Sequence, residues 1–153
     1  MNFTEPKATR IYFFMKIRDL CCILGTAVLL TACSEPEPPR EPSEIVAERA
    51  QARWDALVQR EFETAWQYYA PGFRQQLPAE AFAGEMAIRP VKWTAAEILE
   101  VDCPEGAPRC EVRARVDYQA PAGIPGVGTL KSKSGVKEIW LQIDGKWWYS
   151  PES

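Results

Sequence analysis

The 153-residue chain contains no histidine. Without an imidazole, neither a Ser-His-Asp nor a Cys-His catalytic site can be assembled, and zinc sites of the familiar Cys and His type lack their ligands. No GxxxxGK[ST] phosphate loop and no GxGxxG turn opens a helix. The glycine cluster Gly123 to Gly128 (GIPGVG) lies among turn formers and reads as a flexible connection. A long apolar run is also missing. The most hydrophobic stretch, Leu20 to Leu30 (LCCILGTAVLL), falls short of the ~20 residues that span a bilayer. Excess positive charge is absent too: 18 Lys and Arg face 21 Asp and Glu. A surface of that balance disfavours nucleic acid, because phosphate neutralisation requires a basic patch.

What is present begins with export grammar. Lys16 and Arg18 supply a positive segment ahead of Leu20 to Leu30, whose length suits the apolar core of a signal peptide. Met15 reads as a better start than Met1, since the aromatic Ile11 to Phe14 stretch adds nothing that a signal needs. Leu30-Thr31-Ala32-Cys33 then resembles the lipobox of bacterial lipoproteins, in which a small residue precedes a cysteine that is acylated before cleavage. That resemblance implies a signal peptide over 1–32, lipid on Cys33, and attachment to a membrane through those acyl chains, since two chains suffice for stable anchoring. Ser34, where inner-membrane lipoproteins commonly carry Asp, implies the outer membrane, facing the periplasm. Removal of residues 1–32 leaves 14 bases against 19 acids, so the mature chain is more acidic still.

Residues 33–42 form a Pro-rich tether, extended and semi-rigid. From 43 to 153 the pattern predicts one domain. Ser43 and Glu44 open a helix whose Val46, Ala50, Trp54, Leu57 and Val58 share a face. A bend near Arg60 leads to a second helix carrying Phe62, Ala65, Trp66 and Tyr69, stopped by Pro71-Gly72. A third starts at Pro78 and runs to Met86. The period then becomes two. Trp93 to Cys103 and Cys110 to Tyr118 are predicted strands around a turn-rich link, and Val136 to Ile143 and Lys146 to Ser150 flank the hairpin turn Asp144-Gly145. Pro121 to Gly135 is expected to be a long loop.

Helices followed by an antiparallel sheet make an α+β fold with the helices on one sheet face. The run Phe62 to Pro71 (FETAWQYYAP) with Phe73-Arg74, and the ending Asp144 to Tyr149 (DGKWWY), resemble the nuclear transport factor two-like superfamily. The resemblance spans about residues 43–153 and implies a cone of three helices closed against a curved sheet.

Pairing Cys103 with Cys110 sets Val101 opposite Val112 and Glu100 opposite Arg113, which separates apolar from charged side chains. An oxidising envelope favours that disulfide, and the spacing is not the CxxC of redox or metal sites. In the same register Glu97 falls opposite Val116, near Tyr118, facing the helices and Tyr69. These three residues form a candidate pocket in which a buried acid could serve as a general base, unless Glu97 sits at a strand end and reaches solvent. In the last hairpin Ile139, Leu141, Ile143 and Trp148 are expected on the core face. Trp140, Trp147 and Tyr149 then share the opposite one, as a candidate interface for a second copy or an envelope protein, or as a face covered by another segment. No catalytic residue, metal ligand or cofactor is assigned. The expected role is binding of a ligand or envelope partner, with an acid-base enzyme centred on Glu97 as the competing class.

Overall fold

The computed structural model describes residues 40–123 and 128–151; the signal segment, Cys33 and most of the tether lie outside the described residues. The architecture is α+β, as expected: four helices, α1 (Pro42–Gln59), α2 (Phe62–Trp66), α3 (Pro71–Gln76) and α4 (Ala79–Ala87), precede a meander of β1 (Lys92–Asp102), β2 (Arg109–Pro121), β3 (Thr129–Ile143) and β4 (Lys146–Ser150). The four strands pair antiparallel in the order β1-β2-β3-β4.

Helix α1 starts on Pro42, whose fixed φ suits a first helical position, rather than on a Ser43 cap. It buries Val46, Ala50, Trp54 and Leu57, and it ends where Arg60 turns into the left-handed region (φ 63) with its N–H bonded back to Ala56 O and Leu57 O. That is the expected bend. Pro71-Gly72 does not stop a helix but begins α3, again with proline in the first turn. The Asp144-Gly145 turn has positive φ at both residues (50 and 73), the geometry that matches the twist of flanking strands.

Two departures concern the sheet. The strand β3 begins at Thr129, so most of the expected Pro121 to Gly135 loop is paired strand, running opposite β2 from Pro121↔Thr129 onward. Its inward positions there are Ser132 and Ser134, too small and polar to give an apolar alternation. The second departure is in β1, which carries register shifts between Trp93 and Ala95 and between Ile98 and Glu100. An extra residue in one strand sends every later side chain to the other face and bends the strand. The inward set on β1 is therefore Trp93, Ala96, Ile98 and Val101, while Leu99 stands 55% exposed at the bulge. Gln51 of α1 braces this free edge, donating to Ala96 O and accepting from Ile98 N. Such cover on an edge strand blocks pairing with another chain.

The inner sheet face is read from β2, where Cys110, Val112, Ala114 and Val116 are buried, and from β3, where Glu138 and Trp140 are buried. At the tip of the β1–β2 hairpin, Cys103 and Cys110 form the expected disulfide. At the far edge, the segment around Tyr69 makes a parallel bridge to Tyr149: Tyr149 N donates to Tyr68 O and Ala70 N to Tyr149 O. Through this bridge the helical layer is bonded to β4.

Candidate functional site

Helix α1 crosses the inner sheet face and places Arg53, on its buried stripe, directly over β3 and β4. Arg53 Nη1 donates to Glu138 Oε1 at 2.7 Å, and both side chains are almost fully enclosed, with 4% and 1% exposure. The second carboxylate oxygen of Glu138 accepts from Trp140 Nε1 at 3.1 Å, and Arg53 Nη2 donates to the Tyr69 hydroxyl at 3.1 Å. The guanidinium also lies 3.7 Å from the ring centroid of Tyr149 and 5.0 Å from that of Tyr69. Burial acts against its charge, yet the Glu138 carboxylate and the neighbouring tyrosines hold Arg53 above the usual arginine range. A buried pair survives only with such secondary bonds, because desolvating two ions costs several kcal/mol each.

This ion pair floors a cavity. An inner chamber of about 340 Å³ is walled by Arg53, Glu138, Trp54, Tyr69, Phe73, Phe82, Met86 and Tyr149. A wider outer chamber of about 630 Å³ is lined by Pro90, Val91, Val116, Tyr118 and Ser134. Arg89, Trp93 and Val136 line both. The outer chamber exists because the inward positions of β3 shrink to serine toward Thr129 while β1 bulges away. Tyr69 stacks on Phe73 (4.6 Å) and meets Phe82 and Tyr149 edge-on (5.0 and 4.9 Å), which stiffens the inner wall. Trp54 Nε1 and Arg53 Nε are buried donors without an acceptor. Neither is reached from the cavity, whose walls suit a small, mostly apolar molecule.

The structure corrects the candidate pocket of Glu97, Tyr118 and Tyr69. Tyr118 and Tyr69 do line the cavity, in the outer and inner chambers respectively. Glu97 does not. The bulge at Leu99 pairs Glu97 with Arg115 instead of Val116, and the two form an ion pair on the outer face with the Glu97 side chain 57% exposed. The buried acid of the cavity is Glu138, with Glu85 also in its wall, and sequence reasoning missed Glu138 because it placed the Trp140 face of β3, which Glu138 shares, on the outside.

The candidate interface of Trp140, Trp147 and Tyr149 is also corrected. Its register is as expected, with Trp140 opposite Tyr149 and Gln142 opposite Trp147. The faces are exchanged: Trp140 is fully buried, Trp147 is 4% exposed, and both pack with Val46 and Ala50 of α1. Ile139, Leu141, Ile143 and Trp148 take the outer side, where they are only partly covered. Aliphatic residues at period two were a misleading guide here, because the inner face of this hairpin carries Glu138, Trp140, Trp147 and Tyr149 instead.

Among the described residues no cluster of three His, Cys, Asp or Glu side chains could hold a metal ion, and no helix is long and apolar enough to cross a membrane. No protein-family model matches the sequence, and no curated protein matches it. Among solved structures the chain is similar to a SEC-C motif containing protein from Rhodopseudomonas palustris, with a TM-score of 0.51 and 14% identity over 67% of this chain and 73% of that one. It is similar to a SEC-C motif containing protein from Psychrobacter arcticus, with a TM-score of 0.51 and 11% identity over 76% of this chain and 64% of the other, slightly under two thirds of its length. A protein described as a dehydratase of the NTF2-like family, from Streptomyces avermitilis, superposes with a TM-score of 0.47 and 12% identity over 71% and 95% of the two chains. Identities this low concern the fold alone.

Proposed function

We propose that this chain is a lipid-anchored protein of the bacterial envelope, held through Cys33 with its domain in the periplasm, and that the domain binds a small, mostly apolar molecule in the cavity above Arg53 and Glu138. The observation that carries the binding reading is the cavity itself: largely aromatic and aliphatic walls over the Arg53–Glu138 pair, with Glu85 and Arg89 beside them. Volumes of this size suit a small organic ligand. Binding is favoured over acid-base catalysis because both Glu138 oxygens already accept a donor. The anchor reading rests on the Leu30 to Cys33 sequence behind an apolar run, and a disulfide at the hairpin tip accords with an oxidising compartment.

The two halves are tested separately. Replacing Cys33→Ser should release the protein from membranes, and a variant that resists alkaline extraction contradicts the lipid anchor. For the cavity, Ser134→Trp and Val136→Phe should each fill space without disturbing the ion pair. Ligands carried through purification and seen by native mass spectrometry should be present on the wild type and lost from both variants. Equal occupancy in the wild type and both folded variants contradicts binding at this site.

A further inference from the structure

The charges around the cavity are unequally matched. Arg53 and Glu138 neutralise each other on its floor. Glu85 stands in the wall of the inner chamber only, whereas Arg89 lines both chambers and is the single charged residue of the outer one. Tyr118 and Ser134 bring the hydroxyls of that outer wall, and the rest of it is apolar apart from the indole N–H of Trp93. Among the described residues the Arg89 side chain makes no hydrogen bond and meets no carboxylate within ion-pair distance, Glu85 in the last turn of α4 included. Nor is Arg89 needed to cap α4, because Arg60 Nη2 donates to Ala87 O at 3.2 Å at that helix end. Its backbone is held on one side by a bond from Arg89 N to Met86 O at 3.4 Å, and on the other by Pro90, which disfavours the helical region for the residue before it.

We infer that Arg89 pairs with a carboxylate of the ligand, so that the molecule taken into the cavity is an apolar organic acid bound as its anion; this rests on the cavity being a binding site. The edge of a guanidinium presents two parallel N–H groups that match the two oxygens of a carboxylate. A cation on an otherwise apolar wall gains most from a counter-ion that arrives with its own apolar body, because the seated body excludes the water that screens an exposed pair. The count of charges selects the class. One carboxylate neutralises the one cation of the outer chamber, whereas a phosphate monoester carries a second negative charge to apolar walls and toward Glu85. A cationic ligand is disfavoured for a separate reason: the inner-chamber rings that could receive it, those of Trp54, Tyr69 and Tyr149, already face the Arg53 guanidinium.

The full chain in maltoside micelles is titrated at neutral pH and constant ionic strength with anthracene-2-carboxylate and, separately, with the uncharged anthracene-2-carboxamide, read by probe fluorescence against protein-free micelles. Both should bind saturably. Arg89→Gln should weaken the carboxylate about fivefold or more, the scale of one charged contact at a partly open site, and leave the carboxamide unchanged. Arg89→Lys, which keeps the charge and loses the fork, should fall between, and it carries the test if Arg89→Gln melts below the wild type. Added salt should weaken the carboxylate alone. A carboxylate affinity equal in the wild type and the folded variant, or an equal loss of both probes, overturns the inference while the cavity stands as a binding site. Failure of both probes to saturate the wild type removes the binding reading itself, and this inference with it.

Discussion

The two faces of the sheet handle charge in opposite ways. The inner face holds one ion pair, Arg53 with Glu138, sealed from water and tied by Tyr69, Trp140 and Tyr149. The outer face holds a lattice of exposed cross-strand pairs: Glu100 with Arg113, Glu97 with Arg115, Asp117 with Lys133, and Glu111 with Lys137. Solvent screens the outer pairs, so each contributes little. On the inner face, removing either partner strands a charge. One chemical contact thus has two energetic meanings, decided by which side of the strand it occupies.

The largest expected effect follows from breaking the inner pair. Glu138→Leu leaves Arg53 buried and uncompensated, and chemical denaturation should show a loss of about 3 to 5 kcal/mol. The double variant Arg53→Met with Glu138→Leu should recover much of it, since apolar replacement of a whole buried pair is often neutral. Additive losses in that cycle would mean that the pair is not coupled as described. Trp147→Ala should cost a similar amount, about 3 to 5 kcal/mol, because it empties core space under α1. If it left the melting curve unchanged, the assignment of this aromatic face to the core would be wrong.

Opening the disulfide comes next. Closing the short loop between Cys103 and Cys110, seven positions apart, stabilises by about 2 kcal/mol. Reduction, or a Cys103→Ser and Cys110→Ser double variant, should lower the denaturation midpoint accordingly. Two free thiols in denatured, unreduced protein would contradict the bond. Smaller again is the outer face: Arg115→Gln should change stability by less than about 1 kcal/mol, with the difference shrinking in salt. A loss matching that of Glu138→Leu would erase the distinction between the faces.

The smallest effect is a pH slope. Hydrogen bonding and attraction from Lys137 depress the Glu111 carboxyl below its ordinary value of 4.5. A depressed acid stabilises the fold above its unfolded pKa and loses that contribution as pH falls through the folded one. Stability should therefore decline below pH 4.5 with a component that Glu111→Gln removes. A slope unchanged by that variant would show the contact to be inert.

Much of the fold was legible in the sequence because local signals agreed with it. Pro42, Pro78, the Arg60 bend and Asp144-Gly145 punctuate the elements close to where they occur. The site was harder to read. Glu97 was misplaced because a bulged residue, Leu99, reverses which face β1 presents from Ile98 back to Ala95, and no local signal marks it. Glu138 was missed because binary patterning assigns charges outward, and the partner that permits its burial lies 85 residues away on α1. The inward parity of Cys110, Val112, Ala114 and Val116 would have revealed it, had the β2–β3 register been known. Long-range pairing carries that information, and periodicity does not.

The central claim is that the cavity floored by Arg53 and Glu138 takes up a small apolar molecule. Titration of the full-length protein in maltoside micelles with 1-aminoanthracene, read by probe fluorescence and by quenching of the tryptophans at the walls, tests it most directly. The account predicts saturable uptake of one probe per chain. Affinity should fall about tenfold or more in Ser134→Trp and in Val136→Phe, at unchanged melting temperature. Partition that does not saturate, or equal affinity in the wild type and both folded variants, would contradict it.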